Sequence, residues 1–208
     1  MSETLHNRLL AALDRDGAIG LLRGAIGCNS VTGNEANMVA YLDRQMRERG
    51  LADIEIAEFL PGRPNIWGRR KGSGGGKRLQ FIGHTDTVHA EGWREHWAGD
   101  EREDPFGAPI IDGEIWGRGA GDLKAGICSS LAAISLLDRA GIRLRGDVDF
   151  AFVGDEESGE PGSGVSAGVK AHVARIAAGG LSGADRLFHC RYQHYRQIGL
   201  FRRARIGT

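Results

Sequence analysis

The stretch LQFIGHTDTVHAEGW, residues 79–93, begins as an apolar strand and then places two ionisable side chains, His84 and Asp86, among small and hydroxyl residues. Alternate side chains leave an extended strand on the same face, so His84 and Asp86 point into the same space. A pair of this kind belongs either to a hydrogen-bonded turn or to a metal site. The rest of the chain has to decide between these two interpretations.

Two apolar repeats near the N-terminus predict helices. Leu5, Leu9 and Leu13 recur every four residues, which predicts one amphipathic helix. A second repeat follows the capping-box pattern of residues 32–35, in which a threonine is followed three residues later by a glutamate. We therefore expect two amphipathic helices before the first strand.

Extended patterns follow, and they alternate with one more helix. Three strands are predicted at residues 53–59, 65–70 and 78–83, with the last two joined by a glycine-rich hairpin loop at residues 72–77. A helix over residues 122–141 then leads to a buried strand in residues 146–157. Strands that alternate with helices in this way predict a layered α/β domain.

The composition excludes several classes of protein. A chain of 208 residues with 41% hydrophobic residues suits one domain, or part of a larger one, with a substantial core. No run approaches the ~20 apolar residues of a membrane span, and the charged N-terminus does not resemble a signal peptide, so we expect a soluble, cytoplasmic protein with no membrane partner. The three cysteines are far apart and form no CxxC pair, which predicts reduced thiols.

Charge is unevenly placed along the chain. The 27 basic and 27 acidic residues balance, but the last 23 residues hold six arginines and no acid, so residues 1–185 carry a net charge of −6. Such a region offers no basic face for a phosphate backbone, so we expect no nucleic-acid partner.

Three loops carry the ionisable residues that are best suited to metal binding or catalysis: residues 83–88, 117–126 and 154–160. Ligands of open α/β sheets bind at the carboxyl ends of the strands, where these loops would meet. Each loop also has a local interpretation, since Asp122 is a suitable helix N-cap and the acids of the third loop could face solvent. Taken together, one imidazole and several carboxylates form the ligand set that Zn²⁺ or Co²⁺ favours.

The three motifs GHTDTV, DPFGAPIIDGEIWGRGAGDLKAG and GDEESGE, in this order, resemble the M20 family of metal-dependent amidohydrolases and peptidases. The similarity is strongest to the branch of acetylornithine deacetylases and succinyl-diaminopimelate desuccinylases. It covers roughly residues 5–185. The resemblance implies a layered α/β/α zinc-hydrolase-like catalytic domain, of which residues 1–185 would be the N-terminal part, with the lid or dimerisation domain absent.

The same resemblance assigns roles to individual residues. It makes His84 a ligand of one metal, Asp122 the carboxylate that bridges two metals, and Glu157 a ligand of the second metal. It makes Glu156 the catalytic general base. It makes Asp86 the catalytic-site acid that accepts a hydrogen bond from His84 and fixes its tautomer. A complete site of this kind would hold two Zn²⁺ or Co²⁺ ions.

The chain departs from the family pattern after residue 185. The family has a further acidic ligand before a proline and a histidine ligand near the C-terminus, and no matching motif follows here. The weak substitutes are Asp185, His189, Cys190 and His194. We therefore expect residues 186–208 to be an atypical arginine-rich tail, disordered or out of frame. We also expect the homodimer of the family to be lost with the lid.

Two functions from different classes follow. The first is a metal-dependent hydrolase that cleaves the amide bond of a small-molecule N-acyl amino acid or peptide, of the deacetylase, desuccinylase or peptidase type. The alternative is a catalytically inactive, truncated remnant that binds metal or a partner chain at most. A nucleotide-binding protein is a distant third, because GRGAGD lacks the spacing of a dinucleotide-binding loop.

Overall fold

The computed structural model describes residues 4–157, 159–160, 162–179, 185–190 and 203–205. The helices are α1 (Leu5–Ala11), α2 (Arg15–Gly27), α3 (Ala36–Glu48), α4 (Trp93–His96), α5 (Ala125–Arg139) and α6 (Ala167–Ala177). The strands are β1 (Ala52–Leu60), β2 (Arg63–Arg70), β3 (Leu79–His84), β4 (Ile110–Ile111), β5 (Glu114–Trp116), β6 (Val148–Val153), β7 (Arg186–His189) and β8 (Arg203–Arg205). A π-helical turn, Ala120–Lys124, leads directly into α5.

The central sheet has five strands in the order β1-β2-β6-β3-β7. Strand β2 pairs antiparallel with both β1 and β6, whereas β3 is parallel to both β6 and β7. All six residues of β6 are buried, as expected for a strand that lies inside the sheet. Strands β4, β5 and β8 form a separate small sheet.

The predicted hairpin at residues 72–77 is wrong, because β6 lies between β2 and β3 in the sheet. The segment that connects β2 to β3 instead crosses the segment that leads into β6. The amide of Gly72 donates to Asp147 Oδ1 at 2.9 Å, and a Cβ on Gly146 would come within 1.8 Å of the Lys77 carbonyl oxygen. Close backbone approach therefore requires glycine at residues 72, 76 and 146, where no tight turn joins paired strands.

Helices cover both faces of the sheet, which confirms the predicted layered α/β/α architecture. On one face, Trp67 of β2 packs against His172 of α6. The next residue, Gly68, lies beneath Met46 of α3, so a Cβ there would be 3.2 Å from the Met46 sulfur. Adjacent residues of a strand point to opposite faces, so α3 and α6 lie on opposite sides of the sheet.

The second predicted N-terminal helix is present as α3, which contributes four residues to the core, whereas the first differs from the prediction. Leu5 and Leu9 lie on α1, but Leu13 follows the end of that helix; no residue of α1 is buried, and Leu5 and Leu13 are 59% and 56% exposed. The helix α2 also contributes to the core, and the sequence did not indicate it because four glycines weaken its helical pattern. Packing requires glycine at one of these four positions, because a Cβ on Gly24 would come within 2.5 Å of the Tyr41 hydroxyl.

Residues 186–189 were expected to begin a separate tail, but they form β7 and extend the central sheet beside β3. Residues 203–205 form β8 and pair with β5. The tail boundary at residue 186 is therefore not a structural boundary. Residues 191–202 and 206–208 lie outside the described residues.

One helical segment of the described residues, Ala120–Arg139, is long and apolar enough to cross a membrane by length and composition. Half of that segment is buried inside the protein. It packs against α2 and β3, as the core helix of a globular domain does.

Candidate active site

The parallel pairing of β3 and β6 brings two of the three predicted loops together. His84, the last residue of β3, is directly opposite Val153, the last residue of β6. The segments that follow these strands therefore leave the sheet at the same edge, and they are tied there by a hydrogen bond of 2.8 Å from the Thr85 amide to the Val153 carbonyl oxygen. The third loop reaches the same place through Asp122.

The imidazole of His84 lies at the centre of this cluster and is only 3% exposed. Its Nε2 atom is 3.2 Å from Asp122 Oδ1 and 3.8 Å from Glu156 Oε2. One ligand atom each from His84, Glu156 and Glu157 lie within 4.8 Å of one another. The structure thus places all the predicted ligands at one edge of the sheet.

Asp86 makes different contacts from those expected. The Nδ1 atom of His84 is 3.0 Å from the backbone oxygen of Asp86 and 3.6 Å from its carboxylate Oδ1, so the ring is held mainly by the backbone. The carboxylate accepts hydrogen bonds from the amides of Glu156, at 3.1 Å, and Glu157, at 3.0 Å. Asp86 therefore orients the histidine with its backbone and the acidic loop with its side chain.

Asp122 is not the N-cap of α5, because that helix begins three residues later and Lys124 occupies the cap position. Asp122 lies inside the π-helical turn with non-helical dihedral angles (φ −133°, ψ 96°). Its side chain is 30% exposed and contacts His84. The local interpretation of Asp122 is therefore wrong, and the irregular backbone directs its carboxylate toward the histidine.

The two adjacent glutamates have different environments. The side chain of Glu156 is 47% exposed, so it opens toward solvent. Glu157 is partly buried, and burial raises its pKa to about 7, with the charges of Asp122, Glu156 and Asp86 adding to the effect against the opposing influence of His84. The neighbours thus diverge in accessibility, as a division of labour between them requires.

The electrostatics of the cluster show an excess of negative charge. Burial by itself lowers the pKa of His84, but the carboxylates of Asp122, Asp86 and Glu156 outweigh it and raise that pKa to about 10. Burial alone raises the pKa of Asp86, whereas His84 and the two loop amides lower it below its usual value. In the part of the chain that the structure describes, neither Glu156 nor Glu157 forms an ion pair with a lysine or arginine. This donor set fits a divalent cation.

Two supporting residues were not predicted from the sequence. Thr32, expected to cap α3, donates from its hydroxyl to Asp86 Oδ2 at 3.2 Å. Lys124 is 1% exposed, and its ammonium donates to the Cys28 carbonyl oxygen at 2.6 Å. The sequence carried no local signal for either contact, because the partners are 54 and 96 residues away.

Two of the four residues suggested as substitutes for the missing ligands have side chains that the structure describes. Asp185 Oδ2 accepts a hydrogen bond from the Arg78 amide at 2.8 Å, at the end of β3 opposite to His84, so Asp185 cannot join this cluster. Cys190 is buried in the core at 3% exposure. The side chain of His189 and the whole of His194 lie outside the described residues.

Comparison with known proteins agrees with this geometry. The model of peptidase family M20/M25/M40 matches residues 81–196, which include all three loops. The chain belongs to this family. Curated relatives include the succinyl-diaminopimelate desuccinylases of Methylobacterium radiotolerans, 37% identical over 68% of this chain, and of Beijerinckia indica, 34% identical over 67%.

A solved structure supports the M20 fold. Human carnosine dipeptidase 1 superposes with a TM-score of 0.74 over 89% of this chain and 41% of its own, at 20% sequence identity. The chain spans about a third of the length of the curated desuccinylases, 35% and 36% respectively. The shared region is thus the part of the M20 fold that carries His84, Asp122 and the acidic loop.

Proposed function

We propose that this chain supplies the catalytic loops of a metal-dependent hydrolase that cleaves an amide bond in a small N-acyl amino acid or peptide. The observation that carries the proposal is the meeting of His84, Glu156 and Glu157, whose ligand atoms lie within 4.8 Å of one another beside Asp122. One imidazole and several carboxylates at the carboxyl ends of strands suit a hydrolytic metal site. Residues 1–185 would form the N-terminal part of the catalytic domain.

We propose Zn²⁺ or Co²⁺ as the metal, with His84, Asp122 and Glu157 as ligands and Asp122 as the bridge between two ions. The excess of carboxylates around one buried imidazole supports this assignment. Divalent ions bound there would polarise an amide carbonyl and make a nearby water more acidic. Asp86 would hold His84 and the acidic loop in place through the contacts described above.

Glu156 would act as the general base. Its half-exposed carboxylate is open to solvent, so it would accept a proton from a water at Oε2 and later pass that proton to the departing amine. Glu157, the more buried neighbour, would stay on the metal. The amide hydrogen bonds from both residues to Asp86 keep the two carboxylates in a fixed relation.

The names of the relatives suggest which substrates to test first. Two curated relatives are named succinyl-diaminopimelate desuccinylases, and the solved dipeptidase has the same fold. We therefore propose N-succinyl-diaminopimelate, N-acetylornithine and related N-acyl amino acids as the first substrates to test. We also propose a cytoplasmic location, which the three free cysteines support, and no nucleic-acid or membrane partner.

The decisive experiment measures release of free amine from these substrates with Zn²⁺, with Co²⁺ and with a chelator. We expect hydrolysis that requires metal and falls about 10²- to 10⁴-fold in Glu156→Gln, the usual contribution of a general base. Metal binding should survive in that variant. Equal turnover by Glu156→Gln would contradict the proposal, and tight metal binding with no turnover by the native chain would favour the inactive remnant.

A further inference from the structure

A second group of charged side chains is buried next to the candidate active site. Arg63 of β2 is 7% exposed, and its two acidic partners, Glu35 and Asp155, are fully buried. Arg63 Nε donates to Glu35 Oε2 at 2.9 Å, and its Nη2 donates both to Glu35 Oε1 and to Asp155 Oδ1, the latter at 2.9 Å. None of these three residues is a proposed ligand or base.

The contacts of this network converge on the loop between β6 and α6. Arg63 Nη1 donates to the Gly162 carbonyl oxygen at 2.8 Å. Asp155, the residue before Glu156, accepts from the amides of Gly164, at 2.8 Å, and Ala167, at 2.7 Å. Ala167 is the first residue of α6. The network therefore holds both the start and the end of the loop that carries the two glutamates.

We propose that Arg63 is a positioning residue for the metal site, which acts by fixing the loop that carries Glu156 and Glu157. This inference rests on the proposed function, since it gives the loop its task. Asp86 holds the two glutamate amides from one side, and Arg63 holds the flanking backbone through Asp155 and Gly162 from the other.

The chemistry of arginine explains why this residue type is required. Its planar guanidinium carries five N–H donors in fixed directions, so one side chain can bind Glu35, Asp155 and a backbone carbonyl at the same time. Lysine offers a point charge and cannot reproduce that geometry. A buried arginine with two carboxylates is also a poor means of stabilisation, because apolar groups of similar volume often do as well. The network is therefore better explained by the geometry that it imposes.

The same strand provides a matched control. Arg69, also in β2, binds Asp149 of β6 with bonds of 2.6 and 3.0 Å, near the opposite end of the sheet from His84. Arg63→Lys and Arg69→Lys are thus the same charge-preserving change in the same strand. Only the first alters the loop.

The experiment combines hydrogen exchange of individual amides with titration of Co²⁺, followed by its visible absorption. In Arg63→Lys we expect the amides of Gly164 and Ala167 to exchange at least about 10-fold faster, while amides of β6 keep their protection. We also expect Co²⁺ affinity to fall about 10-fold, the lower end of the effect of residues that orient ligands. Arg69→Lys should change neither measurement.

The outcomes separate this inference from the proposed function. Loop exchange or Co²⁺ affinity that is the same in the two lysine variants would overturn the positioning role of Arg63. A uniform loss of protection across β6 and the loop would also overturn it, because that pattern indicates a purely structural role. If the native chain bound no Co²⁺, the proposed function would fail, and exchange at Gly164 and Ala167 would decide alone whether Arg63 holds the loop.

Discussion

Strand β6 has acidic residues near both of its ends, and their surroundings differ. Near the amino end, Asp149 accepts two hydrogen bonds from Arg69, so a guanidinium matches its charge. Beyond the carboxyl end, Glu156 and Glu157 lie beside His84 and further carboxylates, and neither pairs with a lysine or arginine among the described residues. Removing one partner of a matched pair costs stability, whereas a cluster of unmatched carboxylates is destabilised by repulsion and indicates a functional site.

The comparison makes an opposite prediction for each end. Neutralising an acid at the amino end should weaken the fold, because it removes a partner of an arginine. Neutralising Glu157, beyond the carboxyl end, should strengthen the metal-free fold, because it relieves repulsion among the carboxylates, but should impair metal binding. Stability and function are thus separated along one strand.

The largest effect is expected for Asp86→Ala. Its carboxylate holds the amides of Glu156 and Glu157, so its loss should weaken Co²⁺ or Zn²⁺ affinity about 10- to 100-fold. Isothermal titration with each metal measures this change. Asp86→Asn keeps the size and one acceptor and should show a smaller loss. Unaltered affinity in Asp86→Ala would reduce Asp86 to a turn residue.

A gain in stability is expected for Glu157→Gln in the metal-free chain. Removing one negative charge from the crowded cluster should raise the free energy of unfolding by roughly 0.5–2 kcal/mol, the usual range of stabilising substitutions. Urea denaturation in the presence of a chelator measures this, and added metal should then stabilise the variant less than the native chain. A destabilised metal-free variant would show that Glu157 has a structural partner and would break the comparison.

A loss of stability is expected for Asp149→Asn. The substitution removes the nearer of the two charged partners of Arg69, whose side chain is partly exposed and keeps Asp147 at 3.8 Å, so the cost should be about 1 kcal/mol. Urea denaturation again gives the value, and Co²⁺ affinity should stay at the native level. Weakened metal binding in this variant would mean that the two ends of β6 are coupled.

The smallest effect is expected for His172, whose surroundings favour the neutral imidazole. The Trp67 indole N–H donates to His172 Nδ1 at 2.9 Å, and burial, with a contribution from Arg175, lowers the pKa of His172 below 6.5. Near pH 6.5 the unfolded chain therefore binds a proton at this histidine more readily than the folded chain does. The free energy of unfolding should consequently fall as the pH drops below that value.

The variant His172→Asn isolates this contribution, because asparagine can accept the indole hydrogen bond without titrating near neutral pH. Denaturation midpoints of both chains should be compared from pH 8 to pH 5. The difference between them should change across this range as the native chain loses stability. Parallel curves would show that His172 does not contribute to the pH dependence.

Local pattern was sufficient for much of the fold and for the type of site. The predicted strands at residues 53–59, 65–70 and 78–83 lie within a few residues of β1, β2 and β3, because alternation and apolar runs report directly on burial. The histidine and the acids were recognisable because each follows such a strand or opens a helix. Their roles as ligands and base stay predictions.

Local sequence patterns gave wrong predictions where a residue distant in the sequence contacts the same side chain or backbone. The capping-box pair is the clearest example, since Thr32 donates to Asp86 and Glu35 binds Arg63, while neither side chain caps α3. The glycines of α2 argued against a helix, but close packing against Tyr41 requires one of them. In both places a tertiary contact outweighs a preference of about 1 kcal/mol.

The sequence by itself determined where the buried strands end and which ionisable residues follow them, because burial and side-chain chemistry are properties of short segments. Only the tertiary structure decided that β6 lies between β2 and β3, that Asp86 holds the amides of Glu156 and Glu157, and that Arg63 spans the acidic loop. These contacts join residues 70 to 99 positions apart, so they depend on the path of the chain and leave no periodic trace in the sequence.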